Sequence, residues 1–333
     1  MAVKRKEESI ETLRGIAIIL MVAGHVIGLK HSGLKVADDS LWRYIYYSFE
    51  YLRMPLFTAI SGYVYAIKPL QKEHVVKFFK GKSRRILLPF ISVATVQYIF
   101  NALIPYVNYP TSLEKIWRIY IFGYGQFWFL QALFLVFIAV TFLEYYNIMR
   151  RISGWLSVMA ISIVAVLFVS PYIKLDIFNF GYFLYLLPFF LLGIGINRFK
   201  KLIYQKKVFI LIISVLVLGI IAQQLNWFHI IEIPDKKFGL LGVFVGLTGI
   251  YAIFRYRGKN KPLANLGYYA YGIYLFHVFG TAGSRIVSKL LGVESLFLLF
   301  LIGMLFGLGF PIILEKYILL KVPVLKRLFL GLR

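Results

Sequence analysis

Arg14 and His25 lie eleven residues apart in the run LRGIAIILMVAGHVIGL, an otherwise apolar stretch long enough to cross a bilayer. Eleven residues return a helix almost to its starting azimuth, so the two side chains share one face, roughly 16 Å apart along the axis. A neutral imidazole in low-polarity surroundings can act as a general base, and a guanidinium near the membrane surface attracts phosphate. Taken alone, Arg14 could simply snorkel to lipid phosphates and His25 could be a packing residue bonded to a backbone carbonyl. Charge inside a bilayer is expensive, however, and an arginine and a histidine on one stripe favour function.

Depth counted from the ends of the apolar stretches places Glu50, Trp128 and His277 in the same outer layer as His25. The same count places Lys82, Arg84 and Arg85 with Arg14 in a cationic inner layer. The arrangement predicts two sites stacked through the membrane, one binding a polyanion and one moving a proton. Each residue also has a structural explanation. Glu50 and Arg53, three apart, can pair on a helix face. Trp128, Tyr271 and Tyr274 can be interfacial belt residues, and Lys82, Arg84 and Arg85 satisfy the positive-inside bias. Ser61 and Gly62 can serve close helix packing.

The elements that must hold these groups follow from composition. The 333 residues are 60% hydrophobic and only 16% charged, too few charges to cover that apolar mass in water. An integral membrane protein results. The absence of cysteine excludes disulfides, thiolate metal sites and an acyl-cysteine intermediate. A net charge of +24 would point a soluble chain toward nucleic acid; here it follows from basic cytoplasmic loops, and no nucleic-acid partner or metal is expected.

Ten apolar stretches, at 12–29, 44–67, 85–107, 122–144, 153–170, 178–196, 207–225, 238–255, 263–282 and 295–320, read as spanning helices. Of the 38 lysines and arginines, 26 fall on the N-terminal side of alternate connections, among them Lys4, Arg5 and Lys6. Only 10 fall on the other side, Lys174 and Lys236 included. The expected fold is therefore all-α, a polytopic membrane protein with about ten transmembrane helices and both termini cytoplasmic. A signal peptide at the first stretch would invert the sorting of every later loop. Residues 1–333 read as a single transmembrane domain with no appended soluble domain. The segment 68–85 reads as a basic cytoplasmic loop and 321–333 as an amphipathic tail, both lying on the inner lipid surface.

Six segments in order resemble the acyltransferase 3 family of membrane-bound O-acyltransferases. They are the arginine and histidine at 14 and 25, RMPLFTAISGYV, KSRRILLPF, FWFLQALF, LPFFLLGIGI and GYYAYGIYLFH. Arg53 stands where many relatives carry histidine, and Lys82 replaces one arginine of the basic motif, keeping charge but losing the bidentate fork. The resemblance implies transfer of an acyl group, commonly acetyl, from cytoplasmic acetyl-CoA or another acyl-CoA to a hydroxyl of a cell-surface or lipid-linked glycan. The nearest subgroup is that of exopolysaccharide or capsule O-acetylation in the bacterial plasma membrane, working beside polysaccharide biosynthesis machinery and membrane lipids.

On this reading His25 is the general base, Glu50 orients it, and Arg14, Lys82, Arg84 and Arg85 hold the donor's phosphates. Arg53, Ser61, Trp128, Tyr274 and His277 are further site candidates, Arg53, Trp128 or a tyrosine serving as oxyanion donor. Direct transfer and an acyl-histidine intermediate both fit these residue types. The competing class is a flippase or transporter of a lipid-linked sugar or polysaccharide, which would share the basic inner face and sparse intramembrane charge.

Overall fold

A computed structural model of the chain describes residues 7–173, 176–234 and 237–333. Lys4, Arg5, Lys6, Lys174 and Lys236 lie outside the described residues. Among the described residues the chain is helical throughout, without a strand. In chain order the helices are α1 (Glu8–Ile27), α2 (Leu41–Ser48), α3 (Arg53–Ile67), α4 (Val75–Lys82), α5 (Leu88–Leu103), α6 (Arg118–Ile121), α7 (Trp128–Tyr145) and α8 (Ile152–Phe168). They continue as α9 (Phe180–Arg198), α10 (Lys200–Ile203), α11 (Lys206–Trp227), α12 (Leu240–Arg255), α13 (Lys261–Tyr268), α14 (Ala270–Leu290), α15 (Leu296–Leu314) and α16 (Pro323–Leu330).

Seven helical stretches among the described residues are long and apolar enough to cross a membrane, and α12 is a shorter apolar helix. The remaining two expected spans are interrupted. The stretch 44–67 divides into α2 and α3, so Glu50 lies in the intervening turn and Arg53 opens α3. Pro55 accounts for the break: it has no N–H to return to the Tyr51 carbonyl and suits only the first turn of a helix. The stretch 263–282 is likewise divided between α13 and α14 at Tyr269. The expected loop at 68–85 is largely helical. It comprises a 3₁₀ turn at Lys72–His74, α4, and a π-helical turn at Ser83–Leu87 that leads into α5.

The chain divides into two units. The first comprises residues 1–49, 82–127 and 259–333. In it α1 packs on α13, α14 and α15, and α14 packs on α15. The α1–α13 crossing is as close as backbones allow: a Cβ on Gly15 would strike the Leu263 carbonyl, and one on Gly267 the Glu11 carbonyl. Beyond α1 the chain turns through Gly28 (φ 68°) and Gly33 (φ 54°), conformations that glycine adopts without a Cβ penalty. The Gly33 carbonyl accepts Arg285 Nη1 at 2.8 Å and Asn108 Nδ2 at 3.2 Å, which pins the chain just beyond His25.

The second unit comprises residues 50–81 and 128–258. Its centre is α3 against α9, with α7, α8 and α12 also packed on α9 and α11 on α12. Gly62 sits on the Phe190 carbonyl and Gly193 on the Ala59 carbonyl, so the two backbones meet at reciprocal glycines. Trp155 Nε1 donates to the Leu191 carbonyl at 2.9 Å. Leu211, Val217 and Leu218 of α11 are left exposed, an apolar surface suited to lipid contact.

Candidate active site

In the first unit, α1 and α14 bring two histidines together. The His25 and His277 rings are 4.7 Å apart between centroids and tilted by 54°. His25 is exposed, whereas His277 is fully buried. His277 Nδ1 lies 2.9 Å from the Tyr274 carbonyl and 3.1 Å from that of Ile273. Carbonyls only accept, so Nδ1 carries the proton and the Nε2 lone pair is free. Nε2 has no hydrogen-bond partner among the described residues. Tyr274 is fixed in turn, its hydroxyl donating to the Gln126 carbonyl at 2.6 Å, and the Gln126 side chain donates to Gln97 at 2.7 Å.

At the opposite end of α1, Arg14 Nη1 forms an ion pair with Glu11 at 2.6 Å. The carboxylate is almost fully buried and the guanidinium 24% exposed. Neither simple snorkelling nor a free cation describes Arg14: one of its five N–H donors is committed to a buried acid. Lys82, Arg84 and Arg85 belong to this same unit, at the end of α4 and in the π-helical turn. That turn is held by a substitution of partners. Pro89 has no N–H for the Arg85 carbonyl, which instead accepts the Tyr271 hydroxyl. Tyr271 is thereby a backbone anchor for the basic motif.

The second unit carries the other candidates. Glu50 and Arg53 lie close enough to the buried Tyr185 phenol to act on it electrostatically. The Ser61 hydroxyl donates to the Phe57 carbonyl at 2.9 Å, and Gly62 provides the α3–α9 contact. The Trp128 ring packs against that of Tyr182, with centroids 4.3 Å apart and the planes tilted by 35°.

With this geometry in place, the family is decided by the reach of the match: residues 7–316 fit the acyltransferase 3 family model, described as an acyltransferase domain. The chain belongs to this family. A curated relative, the nodulation protein NolL of Mesorhizobium japonicum, is 28% identical over 201 residues, covering 56% of this chain and 47% of the relative. The chain thus aligns with about half the length of that relative. No solved structure matches. Apolar helices and family membership together make this chain a multi-pass membrane protein, and the family implies an acyl donor.

Two features of the chain went unread in its sequence. Lys237 places its ammonium 5.5 Å from the Trp128 ring centroid and 4.5 Å from that of Tyr182, and it bonds the Tyr182 hydroxyl at 3.2 Å. Trp128 is therefore part of a cation-holding aromatic box, a pairing too distant in sequence for spacing to reveal. A basic cavity of about 930 Å³ also opens in the second unit, where Lys68, Lys72, Lys77 and Arg150 surround the Glu144–Arg198 ion pair (2.6 Å). Among the described residues no group of three His, Cys, Asp or Glu side chains is placed to hold a metal.

Proposed function

We propose that this acyltransferase moves an acyl group, acetyl in the first instance, from acyl-CoA to a hydroxyl of a cell-surface or lipid-linked glycan. The observation that carries this reading is the exposed His25 ring set against the fixed, buried His277 on a family acyltransferase domain. His25 removes the proton from the acceptor hydroxyl as its oxygen attacks the thioester carbonyl. Collapse of the tetrahedral adduct breaks the C–S bond; the leaving thiolate takes the proton back from His25, releasing CoA and an O-acyl ester. His277, its Nδ1–H tied to α14, holds a neutral ring against His25 and keeps it in register. Lys82, Arg84 and Arg85 attract the donor's phosphates, with Arg14 contributing its remaining donors. Glu50, as the group that orients His25, Arg53 and Trp128, as oxyanion donors, and Ser61, as a further site candidate, enter by sequence alone, and single alanine variants test each.

The proposed setting is a bacterial plasma membrane, with ten spans and both termini cytoplasmic as the charge sorting implies. Purified protein incubated with labelled acetyl-CoA and candidate glycans should yield labelled glycan. Movement of a glycan across reconstituted membranes with no consumption of acyl-CoA would replace the proposal with transport.

A further inference from the structure

The end of the chain is docked on the basic motif. Helix α16 packs against α5 and stops at Gly331, which adopts φ 63° and returns its N–H to the Arg327 carbonyl at 3.0 Å. The Gly331 carbonyl accepts Arg84 Nε at 3.1 Å. A Cβ at position 331 would collide with the Arg84 carbonyl and the Arg85 Cα. This contact carries Arg327 and Arg333, which flank Gly331, to the side of Arg84.

The charged groups that act on Arg84 are all of one sign. They are Arg333, Arg85 and Arg327, with no carboxylate among them. Two partly buried arginines elsewhere in the chain are neutralised by acids, Arg14 by Glu11 and Arg198 by Glu144. Four arginines beside a docked helix end repel one another, and guanidinium forks match phosphate oxygens. A single carboxylate would neutralise one of the four; clustered phosphates meet several.

We propose that Arg327 and Arg333 of the C-terminal tail complete, with Lys82, Arg84 and Arg85, a site for a ligand bearing clustered phosphates. Two ligands present that chemistry, the nucleotide end of an acyl-CoA donor and the headgroups of anionic phospholipids. The donor alternative rests on the acyltransferase reading above; the lipid alternative does not.

The test uses the full chain in nanodiscs, comparing wild type with Arg327→Gln/Arg333→Gln and with Arg327→Lys/Arg333→Lys, which keeps charge without the fork. One arm measures coenzyme A binding in phosphatidylcholine discs; the other measures phosphatidylglycerol retained from mixed discs by native mass spectrometry. The glutamine pair should weaken one probe by on the order of tenfold, with the lysine pair in between. Loss of coenzyme A binding assigns the donor, and loss of phosphatidylglycerol alone assigns a lipid-phosphate site. Unchanged binding of both probes in a glutamine pair that unfolds at the wild-type temperature overturns the proposal. So does a loss that appears equally for coenzyme A, phosphatidylglycerol and a neutral lipid control. If the glutamine pair does not fold, the lysine pair decides by the same criteria. Wild-type protein that neither binds coenzyme A nor transfers acetyl removes the acyltransferase reading and leaves the lipid arm to judge the tail.

Discussion

At the scale of single residues, His25 and Arg14 share a helix but answer to different forces. His25 is exposed beside a buried imidazole, so its removal costs chemistry more than packing. His25→Ala should lower transfer by roughly 10²- to 10⁴-fold, the usual contribution of a positioned base, with membrane expression and unfolding temperature near wild type. Full activity in that variant would remove His25 from the mechanism. Arg14 has a structural debt to Glu11, whose carboxylate is nearly inaccessible to water. Arg14→Ala takes a charged partner from that buried carboxylate and should destabilise the protein by up to about 3–5 kcal/mol. Glu11→Gln in the same chain should recover much of the loss. Thermal unfolding of the four members of this cycle isolates the structural part, and any rise in donor KM that persists in the double variant is the binding part.

Among helices, the crossings at Gly15–Gly267 and Gly62–Gly193 decide where the candidate groups can be. Between apolar helices in lipid there is little hydrophobic drive to associate, so close backbone approach and dispersion supply the attraction. Gly62→Leu pushes a branched side chain into the Phe190 carbonyl and should cost about 1–3 kcal/mol or more, read as a lower unfolding temperature in detergent. Gly81→Leu, where an added Cβ meets nothing, is the control and should leave stability within about 0.5 kcal/mol. Equal losses at the two positions would show that the α3–α9 contact contributes nothing special. The run 44–67 carries the same lesson: its apolar composition is continuous, but Pro55 splits it into α2 and α3, so Glu50 sits in a turn and not down a helix face.

For the whole molecule, the outstanding question is orientation in the bilayer, and the absence of cysteine makes it tractable. Each introduced cysteine is unique. With the proposed ten-span arrangement, Lys77→Cys and Lys259→Cys should react with a membrane-impermeant maleimide only after the cells are opened. Lys35→Cys and Lys115→Cys should react in intact cells. Labelling of Lys77→Cys from outside would reverse the orientation and, with it, the donor side of the reaction.

The amino-acid sequence by itself determined that this is a helical membrane protein, because its continuous apolar stretches are long enough to span lipid as helices, which satisfy their own backbone there, and lack the alternation of a β-barrel. It also placed Arg14 and His25 on one stripe, since helical periodicity is local, and it pointed to the family that the match over residues 7–316 then established. Tertiary structure alone decided what stands next to those residues. His277 reaches the His25 ring across 252 positions of chain, and Gly331 reaches Arg84 across 247, because helix packing in a membrane is set by small-residue contacts and backbone geometry that hydropathy does not encode. Partnerships of that kind arise from folding as a whole, and no spacing rule along the chain could have supplied them.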